Sequence, residues 1–428
     1  MKRKLTAVIA FALCLLILTA CENPDVFSDK EKLTGKYTRN KDITITYNYA
    51  DGAADPPNAY NDFSSEVISF SLKELSALSS QSGESFVFSP ASTALQLSML
   101  TNAASPETRQ DILLAFGGSA GADGLNTGSS YFKSRMESVS KTGLKKSEKP
   151  KTYVKLGGAM LIDGSIDVKT AFLQNVKDYY GYDVFRYDFD GKSADKKLAD
   201  YLKPYTSKSG ISPDDDTVNL VSATEIKDLW LEAYSSDAEA GIFKGGSGEK
   251  EMDFFRSNET KISSDKAVGV VKYTAGNPLK LVLIMPKEGT SVEEYLKSLS
   301  SEEYDALMNS VDITKKTTAV IPEFSIESPA EAVDLSKALT ASGFGSLFEK
   351  KSSFSALSFN TDFSFGEMYE IQPGFSFGKN GVNADKLTPD SRGAELQKTD
   401  DEVVFDRPFI FLLADNETNI PIQAGVYR

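Results

Sequence analysis

From Ala59 onward the apolar residues fall into two kinds of run. Ile68, Leu72 and Leu75 stand at i, i+4 and i+7, the spacing of one helical face, and predict a helix. Phe86-Val87-Phe88 reads as a short buried strand. Ser89-Pro90 reads as a helix start, because proline's missing N–H has no partner in the first turn. Ala91, Ala94, Leu95 and Ser98 then form a face of small residues suited to close helix packing. Pro106-Glu107-Thr108 opens another helix through Ile112-Leu113-Leu114. The stretches GGSAGADGLNTGSS and KKSEKPK predict surface loops.

Further along, YVKLGGAMLID reads as a strand and TAFLQNVKDYYG as a helix ending at Gly181. PLKLVLIMP is apolar without alternation, as in a strand covered on both faces. TTAVIPEFSIES and FIFLLADNETNIPIQAGVY predict more strands, the latter turning tightly at Asp415-Asn416-Glu417-Thr418. Helices and strands are interspersed without βαβ regularity, internal repeat or compositional break. The pattern predicts one large α+β domain over residues 57–428. One stretch interrupts it. Residues 381–402, GVNADKLTPDSRGAELQKTDDE, have almost no apolar period. Structureless loops beyond about 12–15 residues are uncommon in compact domains and are usually functional or disordered.

The N-terminus adds an address. MKRKLTAVIAFALCLLILTAC has a basic start and an apolar run too short for a membrane span, which suits a signal peptide over residues 1–20. Leu18-Thr19-Ala20-Cys21 resembles a bacterial lipoprotein box, in which cleavage before Cys21 leaves that thiol lipid-modified. Residues 21–56 then read as a lipidated N-terminus and polar tether. The expectation is an exported protein, lipid-anchored to the bacterial cell envelope at the outer membrane or cell surface. Cys14 leaves with the leader, so the mature chain has a single cysteine and no internal disulfide.

Charge and composition exclude several chemistries. The net charge is −14, and losing Lys2, Arg3 and Lys4 makes it more negative. That argues against a nucleic-acid partner, since phosphate binding needs concentrated Lys and Arg. The chain has no histidine. Ser-His-Asp and Cys-His catalysis lack their base, and the common zinc motifs lack their imidazoles. No cofactor, metal site or enzyme activity is expected; acidic residues are plentiful, but no pattern pairs two carboxylates for a hydrolase.

Several segments together resemble one family, the serpins. FSPASTALQLSML with NAASPETRQDIL, then YYGYDVFRYDF, LVLIMPKEG, IPEFSIES, LFEKKSSFSALS and FDRPFIFLLADNET are similar to family segments in the same order, from about Ala59 to Arg428. The fold this implies is α+β, with three β-sheets, about nine helices and an exposed C-terminal reactive loop. Residues 381–402 occupy the place of that loop. The implied activity is covalent, suicide-type inhibition of a serine-type protease, with cysteine proteases as a further target class. The protease acylates itself on the loop, and the cut loop inserts as a new central strand, releasing stored strain. The implied partners are the target protease and, through the lipid, a membrane; the inhibitor itself is expected to be a monomer.

The resemblance also assigns residues. Ser89 and Ser92 match the paired serines beneath the opening of the main sheet, and Trp230 matches the tryptophan near its upper end. Ser222 stands where the family usually has asparagine, and the family's histidine on the fifth strand has no counterpart. Gly381, Val382 and Ala384 fit the hinge. Asp385, Lys386 and Leu387 break the expected run of small residues, and alternation along a strand turns Lys386 inward with Val382 and Ala384. Pro389 removes a ladder donor. These hinge residues motivate an alternative: a non-inhibitory binding or structural protein whose loop is cut as a substrate. Counting from Gly381 and from Phe405 brackets the scissile residue between Arg392 and Glu395, through Gly393 and Ala394. Arg392 suits a trypsin-like protease and is favoured; Ala394 suits an elastase-like one.

Overall fold

A computed structural model describes residues 27–45, 47, 55–138, 151–206, 208, 210–213, 218–349, 353–359, 365–388 and 393–428. The leader, Cys21, Pro389 and Arg392 lie outside the described residues.

The body opens with α1 (Tyr60–Gln81), β1 (Phe86–Phe88), α2 (Pro90–Leu100), α3 (Pro106–Phe116) and α4 (Gly121–Ser138). Next come β2 (Tyr153–Asp163), α5 (Thr170–Asn175), β3 (Asp183–Tyr187), α6 (Lys192–Leu202) and β4 (Val218–Leu229). Strands β5 (Glu239–Gly245), β6 (Gly248–Ser263), β7 (Ala267–Tyr273) and β8 (Leu279–Pro286) lead to α7 (Val292–Ser298) and α8 (Ser301–Asn309). Then follow β9 (Lys316–Pro322), β10 (Phe324–Ile326), β11 (Val333–Asp334) and α9 (Ser336–Leu339). The chain closes with β12 (Met368–Ile371), β13 (Phe375–Phe377), β14 (Gly381–Val382), β15 (Glu402–Val404), β16 (Phe409–Asp415) and β17 (Pro421–Tyr427).

The predicted helices form for the reasons the pattern suggested. Ile68, Leu72 and Leu75 all face the core from α1. Pro90 and Pro106 occupy first-turn positions, and the Ser105 hydroxyl caps α3 by accepting the Thr108 N–H at 3.3 Å. A π turn over Val176–Tyr180 extends α5, and Gly181 ends it in the left-handed region at φ 65°.

Residues 117–130, expected as a loop, differ: most of them build α4. Its glycines serve packing rather than turning. A Cβ at Gly128 would overlap the Phe63 ring, and one at Gly124 would press on Ala59. Glycine there lets α4 lie tightly against α1, and that burial outweighs its poor helix propensity.

Of the three sheets expected, two are continuous. Strand β6 pairs β5 over its first part, β9 over its middle and β7 over its end, giving one nine-stranded sheet. Strands β8 and β16 at its centre are buried along their whole length. The second sheet runs β3-β2-β4 and then splits. Low down, β4 pairs β12 in parallel, with β11 beyond; high up, β14 and β13 with β10 take that place. A core of Phe324, Phe375, Phe377, Phe409, Phe411 and Tyr427 joins the two sheets under the split.

Residues 27–45, expected within a tether, lie on the body. They cover the free edge of β3: the Leu33 N–H donates to Val184 O and the Arg186 N–H to Glu31 O. Phe27 stacks on Phe185 with centroids 4.0 Å apart. An uncovered edge would present unpaired backbone groups.

Candidate functional site

The loop leaves the sheet in an unusual way. After β12 and the bend at Gln372-Pro373-Gly374, β13 rises, turns at residues 378–380, and returns as β14 between β13 and β4. Gly381 pairs with Leu229 and Val382 with Asp228, antiparallel. A Cβ at Gly381 would collide with the Asp228 carbonyl oxygen, so only glycine lets the two backbones approach this closely. The start of the loop, expected to be exposed, is therefore already a strand, two residues deep in the sheet.

Trp230 holds this hairpin. Its indole N–H donates to Gly378 O at 2.9 Å, its backbone N–H to Asn380 O at 2.9 Å, and its ring lies 5.3 Å from Phe377. Beside it Asp228 accepts from the Leu229 and Gly276 N–H groups and from Asn277 Nδ2. Burial nonetheless raises its carboxyl to about 6.

Asn383 ends the inserted stretch. It sits at φ 51°, a left-handed conformation that asparagine tolerates. Its Oδ1 accepts the Ser376 N–H at 2.7 Å, while Nδ2 donates to Ile226 O at 2.9 Å and Gly374 O at 3.3 Å. The side-chain amide thus bridges the two strands where a third residue of β14 would otherwise do so. Ala384 is buried beneath it, and residues 384–387 then turn outward, the Leu387 N–H donating to Ala384 O. Lys386 follows Val382 and Ala384 in the strand pattern, yet it is exposed, because this turn breaks the alternation.

The other end of the loop is also held. Ala394 makes a parallel bridge to Tyr234, and a Cβ at Gly393 would overlap the Ala233 carbonyl oxygen. Gln397 and Asn258 exchange hydrogen bonds of 2.6 and 3.0 Å, and Thr399 bonds Thr318 at 2.6 Å. Gly393, Ala394 and Glu395 therefore run along the body, with the side chains of Ala394 and Glu395 exposed.

Beneath the split lies a polar cluster. The Ser92 and Thr224 hydroxyls are 2.6 Å apart, Thr224 donates to Ser89 Oγ at 2.9 Å, and Ser89 Oγ donates to Ile422 O at 2.7 Å. Ser89 and Ser92 thus lie together beneath the split. Their partner on β4 is Thr224 rather than Ser222, whose hydroxyl instead reaches Tyr369 O at 3.4 Å. The fifth-strand side chain is Glu370, which accepts the Ser89 N–H at 2.6 Å. Burial lifts its carboxyl to about 8. Glu74 on α1 is fully buried near it, and desolvation reinforced by Glu370 holds it well above the carboxylate range. Asn383, Thr224, Glu370 and Glu74 escaped the sequence reading. The available signal was the lone acid in the apolar run Met368-Tyr369-Glu370-Ile371, and another on the buried face of α1.

Comparison with known proteins agrees with this geometry. Residues 65–428 match the family described as serpin, serine protease inhibitor. An uncharacterized serpin-like protein of Methanosarcina mazei is 24% identical, the alignment covering 99% of this chain and 97% of that one. Human neuroserpin is 24% identical over 90% of this chain and 94% of its own. The native crystal structure of the thermophilic serpin tengpin superposes with TM-score 0.75 at 24% identity, covering 92% of this chain and 98% of that one. Human thyroxine-binding globulin complexed with thyroxine gives TM-score 0.71 at 19% identity, covering 86% and 98%. The split main sheet, the returning loop strand and a family match across most of the chain lead to one conclusion: this protein belongs to the serpin family.

Proposed function

We propose that this chain is an inhibitory serpin that traps serine-type proteases covalently, as a monomer lipid-anchored through Cys21 at the cell envelope. The observation that carries the reading is β14. Gly381 and Val382 are already in register between β4 and β13, so insertion has begun before any protease arrives. Continued in the same register, residue 392 would meet Val218, the first residue of β4. The segment 381–392 thus has the length of the strand it would line, which supports Arg392 as the scissile residue. The protease nucleophile attacks that carbonyl, the peptide C–N bond breaks, and the new amine leaves with Gly393. The acylated half of the loop is then free to extend β14, carrying the protease with it. Because the protease brings the catalytic groups, the inhibitor needs no histidine.

The second reading, a binding protein with a cleavable loop, is favoured by the docking of residues 393–399 on the body. Thyroxine-binding globulin has the same fold and is seen complexed with thyroxine. A denaturing gel after incubation with trypsin-like and elastase-like proteases separates the two. The expected result is a band at the summed mass, with a released peptide beginning at Gly393. Clean cleavage within residues 381–402, with the protease still active, would leave the binding-protein reading.

A further inference from the structure

Glu74 and Glu370 present an unsolved accounting problem in the intact chain. Both are fully buried; Glu74 has only the Thr93 hydroxyl beside it, too far or too bent for a well-formed hydrogen bond, and Glu370 Oε2 has no partner. Around them stand Thr93, Ser89, Ser92 and Thr224, all neutral; among the described residues no cation acts on either carboxyl. Unpaired buried polar groups on this scale are destabilising, and native proteins keep few of them.

The register of β14 shows what could satisfy them. Gly381 pairs with Leu229 and Val382 with Asp228. Continued downward, Ala384 meets Ile226 and Lys386 meets Thr224. Directly paired residues share a face of the sheet. Thr224 points to the inner face, where its hydroxyl bonds Ser89 and Ser92, and Ser89 in turn bonds Glu370. Asp385 falls opposite Glu225 on the other, more open face, where Lys155 already pairs Glu225 and Lys227 is the diagonal neighbour.

We propose that Glu370 and Glu74 are the receptor for the Lys386 ammonium once the cut loop has inserted, so that a buried ion pair forms in the inserted state alone. The inference rests on the reading that the loop inserts. In the intact chain Lys386 is exposed in the turn, and the acids are held neutral by burial. On insertion one carboxyl releases its proton to solvent and the carboxylate meets the ammonium. Removing the acids would then leave the buried ammonium unpaired, and removing the lysine would return both carboxyls to the protonated, poorly partnered state they have in the intact chain. The same arrangement burdens the intact state and rewards the inserted one, which is the asymmetry a strained inhibitor requires. The lysine that breaks the run of small hinge residues becomes a lock rather than a defect.

The test compares the cut forms of the wild type and of Lys386→Met, prepared with an elastase-like protease and checked by mass. We expect the cut Lys386→Met form to unfold in guanidinium about a hundredfold faster than the cut wild type. The two intact chains should unfold alike, Lys386→Arg should recover most of the loss, and Glu74→Gln/Glu370→Gln should remove the sensitivity to residue 386. If the cut wild type gains no resistance over the intact chain, insertion itself fails, and this proposal with it. If it gains resistance and Lys386→Met equals or exceeds it, the lock alone is overturned, and Lys386 is only an obstacle to insertion.

Discussion

At pH 9 the intact Glu370→Gln variant is expected to be more stable than the wild type by on the order of 5 kcal/mol, and at pH 4.5 to match it within about 1 kcal/mol. Burial raises the Glu370 carboxyl to about 8, against an ordinary value of 4.5. Below 4.5 the folded and unfolded chains both hold the proton, and the carboxyl's contribution to stability is fully present. Between 4.5 and 8 the unfolded chain gives up its proton while the folded chain keeps it, so stability falls as pH rises. Above 8 both are ionised and the loss is complete. Glutamine mimics the protonated acid and can still accept the Ser89 N–H, so the variant escapes this decline. Urea midpoints of both chains at pH 4.5, 7 and 9 check it; parallel pH profiles would contradict it. The same substitution should weaken the cut form, where Lys386 loses one of its two proposed partners. Opposite signs in the two states distinguish a stored burden from ordinary core damage.

The second large effect concerns the upper end of the split. Lys272 and Glu259 form a buried ion pair at 2.6 Å, the ammonium also donating to Glu232 O at 3.0 Å. The ammonium lies 5.4 Å from the Trp230 ring and 4.4 Å from the Tyr234 ring. Glu259→Ala leaves that charge buried without its carboxylate and is expected to destabilise the intact chain by about 3–5 kcal/mol. Because Trp230 grips the β13–β14 hairpin and Tyr234 bridges Ala394, both ends of the loop should loosen together. Trp230 is the only tryptophan, so its emission reports the change directly and should move to the red. A loss under about 1 kcal/mol with unchanged emission would contradict this account.

Much of the fold is legible in the sequence where a residue's fate depends on its immediate neighbours. The unbroken apolar runs of β8 and β16, the prolines opening α2 and α3, and the polar gap after Val382 all declare themselves locally. Gly124 and Gly128 mislead because glycine normally marks a turn, whereas here its value lies in the approach of α1, a tertiary fact. Ser222 and Thr224 share strand parity and chemistry, and only the position of the Ser89 and Ser92 hydroxyls chooses between them. Asn383 is a turn former in sequence terms, and its role as a bridge exists only once β4 and β13 stand on either side. Glu74 and Glu370 are hardest to see, since ionisable residues are seldom fully buried without partners. The partner proposed for them, Lys386, is distant in sequence and, in the intact chain, exposed in the turn after Asn383.

The measurement that bears most directly on the central claim is the resistance of the wild-type chain to denaturant before and after a single cut within residues 392–395. If β14 is an insertion arrested at Asn383, cutting releases the C-terminal restraint, the strand extends down β4, and the cut chain stays folded in urea that unfolds the intact one. If both unfold at the same concentration, the hairpin at Gly381-Val382 is a fixed end of the sheet and the trapping mechanism does not operate in this protein.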